Sequence, residues 1–127
     1  LLYIHIAPER SFVAAGVYMP EPAALATIRQ SMVRNPKAWA AMEAALAKGG
    51  LTLGTEQQMT RMPRGFEAEK GSPLDGALRL KSFIVEESVT ANAIGSPAFA
   101  DQVADFANRA APLLRYAWKS LGGEATE

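Results

Sequence analysis

The sequence of 127 residues lacks cysteine altogether and has a single histidine, His5. Without cysteine the chain cannot form a disulfide, a thiolate nucleophile or a cysteine-bound zinc site, and this composition fits a reducing compartment. One imidazole does not by itself define a metal site or a catalytic dyad. We therefore expect no metal site, no cofactor and a cytoplasmic location.

An excess of charge of one sign and long apolar runs are also missing. Thirteen Lys and Arg residues balance thirteen Asp and Glu residues, so the chain has no net charge that would attract nucleic acid or anionic lipid. No apolar run approaches the roughly 20 residues that span a bilayer. These absences argue against a membrane or a nucleic acid as partner, and any anion binding must be local.

The common signatures of catalysis and nucleotide binding are absent as well. The chain has neither a Walker loop nor a Gly-x-Gly-x-x-Gly loop, and no serine stands in a Gly-x-Ser-x-Gly turn. The acidic pairs Glu67/Glu69 and Glu86/Glu87 belong to no recognised metal-binding loop. Glu86 and Glu87 are consecutive in a predicted strand, which places their side chains on opposite faces of the sheet.

What is present is the pattern of a globular protein, with 49% hydrophobic and 20% charged residues. Two β-type runs, Leu1–Ala7 and Ser11–Met19, flank a turn and predict a hairpin, with Gly16 as a candidate bulge. A third run, Phe83–Val89, predicts a later strand. Glu56–Thr60 is expected to form one helical turn.

Apolar residues three and four positions apart predict helices over Ala23–Arg34, over Lys37–Lys48 and along a C-terminal segment. Ser96 and Pro97 are typical of an N-cap and a first helical position, so the last helix should begin there, with a kink at Pro112. The order of these elements favours an α+β fold: an N-terminal hairpin and a later strand in a mainly antiparallel sheet, packed by helices that include a long C-terminal one. Residues 1–127 are expected to form a single domain.

A loop with proline and glycine at the centre of the chain has an excess of basic residues. Between Met59 and Lys81 the cations outnumber the carboxylates; the cations are Arg61, Arg64, Lys70, Arg79 and Lys81, and the carboxylates are Glu67, Glu69 and Asp75. Arg64 precedes Gly65, where backbone amides can point outwards and a guanidinium fork can bind an anion. The alternative is a solvated loop whose arginines pair with neighbouring carboxylates.

The aromatic residues and the histidine have structural interpretations. Four aromatic residues at helical spacing are expected in the core rather than on a stacking platform: Trp39, Phe99, Phe106 and Trp118. His5 is expected to be a strand residue with its ring partly buried beside Tyr3. Its alternative role, a general acid or base, requires a carboxylate or hydroxyl partner across the sheet.

A series of short segments resembles one protein family along nearly the whole chain. The segments are Tyr3–Ile6, Gly16–Pro22, Leu25–Arg29, Pro63–Phe66, Leu78–Phe83, Ser96–Phe99 and Ala111–Leu113. Their order and spacing resemble the bacterial and fungal family known as domain of unknown function 2461, a family of conserved hypothetical proteins.

The resemblance implies that five residues are members of family motifs: His5, Tyr18, Arg29, Arg64 and Lys81. It implies no activity, substrate or catalytic residue. It also implies a larger domain with an additional N-terminal portion that includes helices and a basic segment. Because the chain also begins in strand-like sequence without Met, we expect it to be the C-terminal part of that domain, with an exposed sheet edge that would favour a homo-oligomer.

Three functions are compatible with the sequence. The first is a binding module for an anionic small molecule or an acidic partner, with candidate ligand-binding residues Arg64, Arg79, Lys81, His5, Tyr18 and Arg29. The second is an enzyme whose site is shared with the N-terminal portion, which requires His5, Tyr18 and Arg64 to converge in one cleft. The third is a structural role through self-association.

Overall fold

The computed structural model describes residues 2–5 and 10–122, and for residues 2–5 it describes the backbone alone. The strands are β1 (Leu2–His5), β2 (Ser11–Val17) and β3 (Phe83–Val89). The helices are α1 (Pro22–Arg34), α2 (Pro36–Lys48), α3 (Asp75–Leu78), α4 (Ala91–Ile94) and α5 (Phe99–Ser120), with a 3₁₀ turn at Glu67–Glu69. The predicted α+β class with a long C-terminal helix is confirmed.

Proline and asparagine define where the first two helices begin. Pro22 is the first residue of α1 and Pro36 is the first residue of α2, positions at which the missing amide hydrogen costs no helical hydrogen bond. Asn35 ends α1 and caps α2, because its side-chain oxygen accepts a hydrogen bond from the Ala38 amide at 3.2 Å. Asn35 is therefore the one residue that separates the two helices. At the other end of α2, Gly49 follows its last residue.

The three strands form one antiparallel sheet in the order β1-β2-β3. In the register, His5 pairs with Phe12, and Ala15 pairs with Leu2 on one side and with Val85 on the other. The predicted hairpin and the later strand are confirmed, and residues 6–9 of the hairpin turn lie outside the described residues. Since β2 is central, its middle residues are buried on both faces.

One face of the sheet packs against α1, α2 and α5 to form the core. Val13 of β2 and Phe83 of β3 belong to this face and to one buried cluster with residues of the three helices. Trp39 of α2 belongs to the same cluster, with its ring centroid 6.0 Å from that of Phe83 and 5.2 Å from that of Tyr116, both edge-on. Such aromatic pairs add about 0.5–1.5 kcal/mol each beyond the burial of their area.

Helix α5 covers the sheet with a stripe of buried residues: Phe106, Ala110, Leu113 and Ala117. The helix is continuous through Pro112, and the kink expected there stays a prediction. The expectation that Trp118 lies in the core was wrong, because its side chain is 60% exposed. Trp118 follows Ala117, and one residue along a helix turns the side chain by about 100° away from the buried stripe.

The start of α5 also differs from the prediction. The helix begins at Phe99, two residues after Pro97. The Ser96 hydroxyl accepts a hydrogen bond from the Ala98 amide at 3.1 Å, so it stabilises a local turn and does not cap the helix.

Gly16 is not a bulge, since it pairs one to one with Ile84 within a regular register. Its φ of +138° is a conformation that residues with a Cβ rarely adopt, and a Cβ there would lie 1.9 Å from the Phe83 carbonyl oxygen. Close approach of the β3 backbone therefore requires glycine at this position.

The helical turn expected over Glu56–Thr60 was wrong as well. Gln58 forms an antiparallel β-bridge with Leu80, and the Lys81 amide donates to the Gln57 carbonyl at 2.8 Å. The segment is not helical because pairing with a distant part of the chain supplies the backbone hydrogen bonds that a local turn would otherwise make.

Candidate functional site

The central loop and the segments beside it enclose a cavity of about 510 Å³, called here the basic pocket. Its lining residues are Thr60, Arg61, Met62, Arg64, Glu67, Lys70 and Arg79. Four of these side chains are cations and one is a carboxylate, so cations outnumber carboxylates in the lining of the pocket, although the chain has no net charge.

Two anchors in the core hold the loop that carries Arg64. Pro63 is buried, and Phe66 packs against the buried cluster and donates its amide to the Pro63 carbonyl at 3.0 Å. Gly65 lies between them with a φ of +91°. The Gly65 amide donates to Oε1 of Glu67 at 2.9 Å. Because the loop is tied on both sides, Arg64 is directed outwards and is exposed.

Arg79 forms the opposite wall and is held in place by two acceptors. Its Nε donates to Oδ1 of Asp75 at 2.7 Å, and its Nη1 donates to the Thr60 carbonyl at 2.7 Å. The Gly71 amide donates to Oδ2 of Asp75, also at 2.7 Å. The hydrogen bonds from Arg79 and then from Gly71 lower the pKa of Asp75 below its usual value. Asp75, the first residue of α3, thus connects Arg79 of the basic pocket to the backbone at Gly71.

The other three cations of the pocket have no partner of this kind. Within residues 10–122, the side chains of Arg61, Arg64 and Lys70 form no hydrogen bond and no ion pair with another described residue, and all three are exposed. Arg79 is thus paired with a neighbouring carboxylate, as the alternative of a solvated loop expects, whereas Arg61, Arg64 and Lys70 are exposed without a direct ion pair among the described residues.

The structure brings two of the predicted site residues together here, Arg64 and Arg79. Lys81 does not line the basic pocket. It is exposed and directly follows Leu80, the residue that forms the bridge with Gln58. Arg61 and Lys70 were counted in the basic excess and were not selected as site residues. For Lys70, the signal that could have identified it is its position before Gly71, which forms a turn with a φ of +82°.

Arg29 does not line the basic pocket and is buried, with 7% of its surface exposed. Its Nη2 donates to the Leu80 carbonyl at 3.0 Å and lies 3.4 Å from Sδ of Met59. Burial lowers the pKa of its guanidinium. Arg29 thus ties α1 to the bridged segment from which Thr60 and Arg79 extend into the basic pocket.

Tyr18 lies in a second cavity, of about 230 Å³, called here the sheet-face cleft. Its lining residues are Arg10, Phe12, Tyr18, Gly54, Glu56, Gln57, Ser82, Ile84 and Glu86. The backbone of His5 pairs with Phe12 at this part of the sheet, and its side chain lies outside the described residues. Tyr18 and Arg64 line different pockets, so the common cleft required by the enzyme hypothesis is absent between these two residues.

Two further features bear on the class of protein. No group of three or more His, Cys, Asp or Glu side chains in the described ranges could hold a metal ion. None of the helices in the part of the chain that the structure describes is long and apolar enough to cross a membrane.

The fold and the two pockets define a small α+β domain with a helix-packed antiparallel sheet and a basic cavity beside it. Over residues 1–116 the chain matches the family described as conserved hypothetical protein (DUF2461), and it belongs to that family. The resemblance noted from the sequence motifs is thereby confirmed. No curated protein and no solved structure matches the chain.

Proposed function

We propose that the protein is a binding module that holds an anionic small molecule in the basic pocket. The observation that carries the proposal is the convergence of four cations on one cavity in which Glu67 is the one lining carboxylate. The cavity of about 510 Å³ is within the usual size range of small-molecule sites.

The chemistry of the pocket favours a ligand with phosphate or carboxylate groups. A guanidinium presents a planar fork that binds either group through two parallel hydrogen bonds, and Lys70 adds a mobile point charge. Arg79 is already oriented by Asp75 and Thr60, so little side-chain entropy is lost when it binds. Arg61 and Arg64 have no partner among the described residues and are available to close on the ligand.

Calorimetric titration with pyrophosphate tests this function, with citrate as a carboxylate probe of comparable charge. Arg61→Gln and Arg64→Gln should each weaken binding by about tenfold, the loss expected for one charged hydrogen-bond partner. Lys81→Gln is the matched control, because it removes one positive charge of the same segment from outside the pocket. It should change affinity by less than about twofold, since the charge is exposed and screened by salt.

Two results would contradict the proposal. One is an equal loss of affinity in Arg64→Gln and Lys81→Gln, which would indicate diffuse attraction to a basic surface. The other is saturable binding of neither pyrophosphate nor citrate to the unmodified chain at low ionic strength. A preference between the two probes would identify the class of anion.

We also propose self-association as a second function, on a different observation. The outer edge of β3 is bonded to the preceding segment, where the Gly54 amide donates to the Ile84 carbonyl at 2.9 Å. Among residues 2–5 and 10–122 no strand pairs with the outer edge of β1. An uncovered edge strand favours pairing with another chain.

A further inference from the structure

The sheet-face cleft lies on the face of the sheet opposite to the helices. Phe12 and Ile84 belong to this face, because they alternate with Val13 and Val85, which face the core. The segment that begins at Gly54 closes one side of the cleft, and it is bonded directly to the outer edge of β3. The floor of the cleft is therefore formed by Phe12 and Ile84, and one wall is formed by the segment that is bonded to β3 at Gly54.

A hydrogen-bond network holds the polar end of the cleft. The buried Ser82 hydroxyl donates to Oε1 of Gln57 at 2.8 Å and accepts from the Met19 amide at 2.7 Å. Met19 has a φ of +43°, a left-handed conformation that residues with a side chain rarely adopt. Nε2 of Gln57 lies 3.5 Å from the Tyr18 hydroxyl. Tyr18 and Gln57 are therefore placed at the mouth of the cleft by bonds within the chain.

The charges and aromatic faces of the cleft suit a cation. The Arg10 guanidinium pairs with Glu86 and lies 4.5 Å from the centre of the Phe12 ring. Proteins commonly recognise organic cations with a carboxylate and an aromatic face. In the sheet-face cleft, the Arg10 guanidinium is bound by these two kinds of group. Glu56, the second lining carboxylate, forms no ion pair with any residue in the described ranges.

We propose that the sheet-face cleft binds a small organic cation that carries a guanidinium or primary ammonium group. Glu56 provides the charged partner, Tyr18 provides an exposed aromatic face, and the ligand competes with Arg10 for Glu86. The two pockets have opposite charge preferences and no lining residue in common, so this site does not depend on anion binding in the basic pocket.

Titration calorimetry with methylguanidinium, with uncharged methylurea as the isosteric control, tests the proposal. We expect saturable binding of methylguanidinium and none of methylurea. Glu56→Gln should weaken binding by about tenfold or more, as for the loss of one charged hydrogen-bond partner. Arg10→Gln should strengthen it several-fold, because the internal competitor is removed. Asp101→Asn, which removes one exposed carboxylate from the first turn of α5, should leave the affinity unchanged.

Several outcomes would overturn the proposal: equal affinity for methylurea, no saturable binding of methylguanidinium, or the same affinity in Glu56→Gln as in the unmodified chain. Amide chemical shifts provide an independent measurement of location. The shifts that change with methylguanidinium should map to Tyr18, Gln57 and their neighbours, and changes confined to the Arg64 loop would place the cation elsewhere. Unfolding temperatures of the variants check that each one folds.

Discussion

At the scale of single residues, the carboxylate of Asp75 accepts hydrogen bonds at 2.7 Å from both the Arg79 guanidinium and the Gly71 amide. These bonds favour the ionised carboxylate and lower its pKa. Arg79 in turn donates to the Thr60 carbonyl, so one ionised side chain organises three segments around the basic pocket. The local order of the pocket should therefore depend on the charge of Asp75.

This dependence predicts a loss of stability in acid. The pKa of Asp75 is lower in the folded protein than the value of about 3.9 expected in the unfolded chain. Its contribution is therefore fully present above that value and is lost as the pH falls through the folded pKa. Urea unfolding at a series of pH values should show a shallower acid decline of the unfolding free energy for Asp75→Asn than for the unmodified chain. Asp101→Asn is the control, and parallel curves for Asp75→Asn and the unmodified chain would contradict the prediction.

Arg29 shows a different residue-scale constraint, a buried cation without a carboxylate. Among the described residues its Nη2 has the Leu80 carbonyl as acceptor, while its Nε has none. An unsatisfied buried donor costs about 1–3 kcal/mol, which packing around the guanidinium must offset. The bond from Nη2 to the Leu80 carbonyl connects α1 to the bridged segment, and the ligand-binding role for which its family motif made Arg29 a candidate stays a prediction.

At the scale of secondary-structure elements, Arg109 links three of them. Its guanidinium donates to both oxygens of Glu87, at 2.7 and 2.8 Å, and to the Gly49 carbonyl at 3.2 Å. Helix α5 is thereby fastened to β3 and to the end of α2. The hydrogen bonds that Arg109 donates to Glu87, and next the one that it donates to Asp105, raise the pKa of Arg109. Glu86, the preceding residue, pairs with Arg10 on the other face, which confirms that the two carboxylates point to opposite sides of the sheet.

A double-mutant cycle measures how much this link stabilises the packing of α5 on the sheet. Glu87→Gln and Arg109→Gln should each lower the unfolding free energy by about 1–3 kcal/mol, and their coupling energy should be about 1–2 kcal/mol, since the bond is bidentate and half-buried. Asp105→Asn removes the other carboxylate bonded to Arg109. Because the Asp105 side chain is 67% exposed, this change should lower the unfolding free energy by about 0.5 kcal/mol or less. Additive effects in the Glu87–Arg109 cycle would contradict the predicted link.

At the scale of the whole molecule, the chain has no net charge, but its two pockets differ in the sign of the charges that line them. The basic pocket contains four cations and one carboxylate, whereas the sheet-face cleft contains two carboxylates and one cation. The average charge therefore indicates nothing about either site. The two edges of the sheet differ less sharply: the outer edge of β3 accepts one backbone hydrogen bond, from Gly54 to the Ile84 carbonyl, and the outer edge of β1 has no strand partner among the described residues.

The outer edge of β1, which has no strand partner among residues 2–5 and 10–122, predicts reversible self-association. Sedimentation velocity over a range of protein concentrations should show a monomer that associates as the concentration rises. Hydrogen exchange at the same concentrations should become slower at amides of β1 and should stay unchanged in β3, which serves as the internal control. A single monomeric species at every concentration, or equal protection of both strands, would count against association through this edge.

Local pattern was sufficient for most of the fold. Proline and asparagine at residues 35–36, and apolar residues at helical spacing, correctly predicted α1 and α2, and alternation with β-branched residues correctly predicted β2 and β3. These signals work because they depend on neighbours a few residues away. Glu56–Thr60 was predicted wrongly because its backbone pairs with residues 79–81, which lie 20 to 24 positions further along the chain.

For the candidate sites too, local sequence signals explain one part and contacts between distant segments explain the other. The sequence by itself determined that the central loop is basic and that it contains Arg64 and Arg79, because composition and turn chemistry are local properties. The tertiary structure decided that Arg61 and Lys70 join them, that Lys81 does not, and that Tyr18 belongs to a separate cleft. The physical reason is that a pocket is formed by segments distant in sequence, and their relative position depends on core packing and on single contacts such as Arg29 with the Leu80 carbonyl.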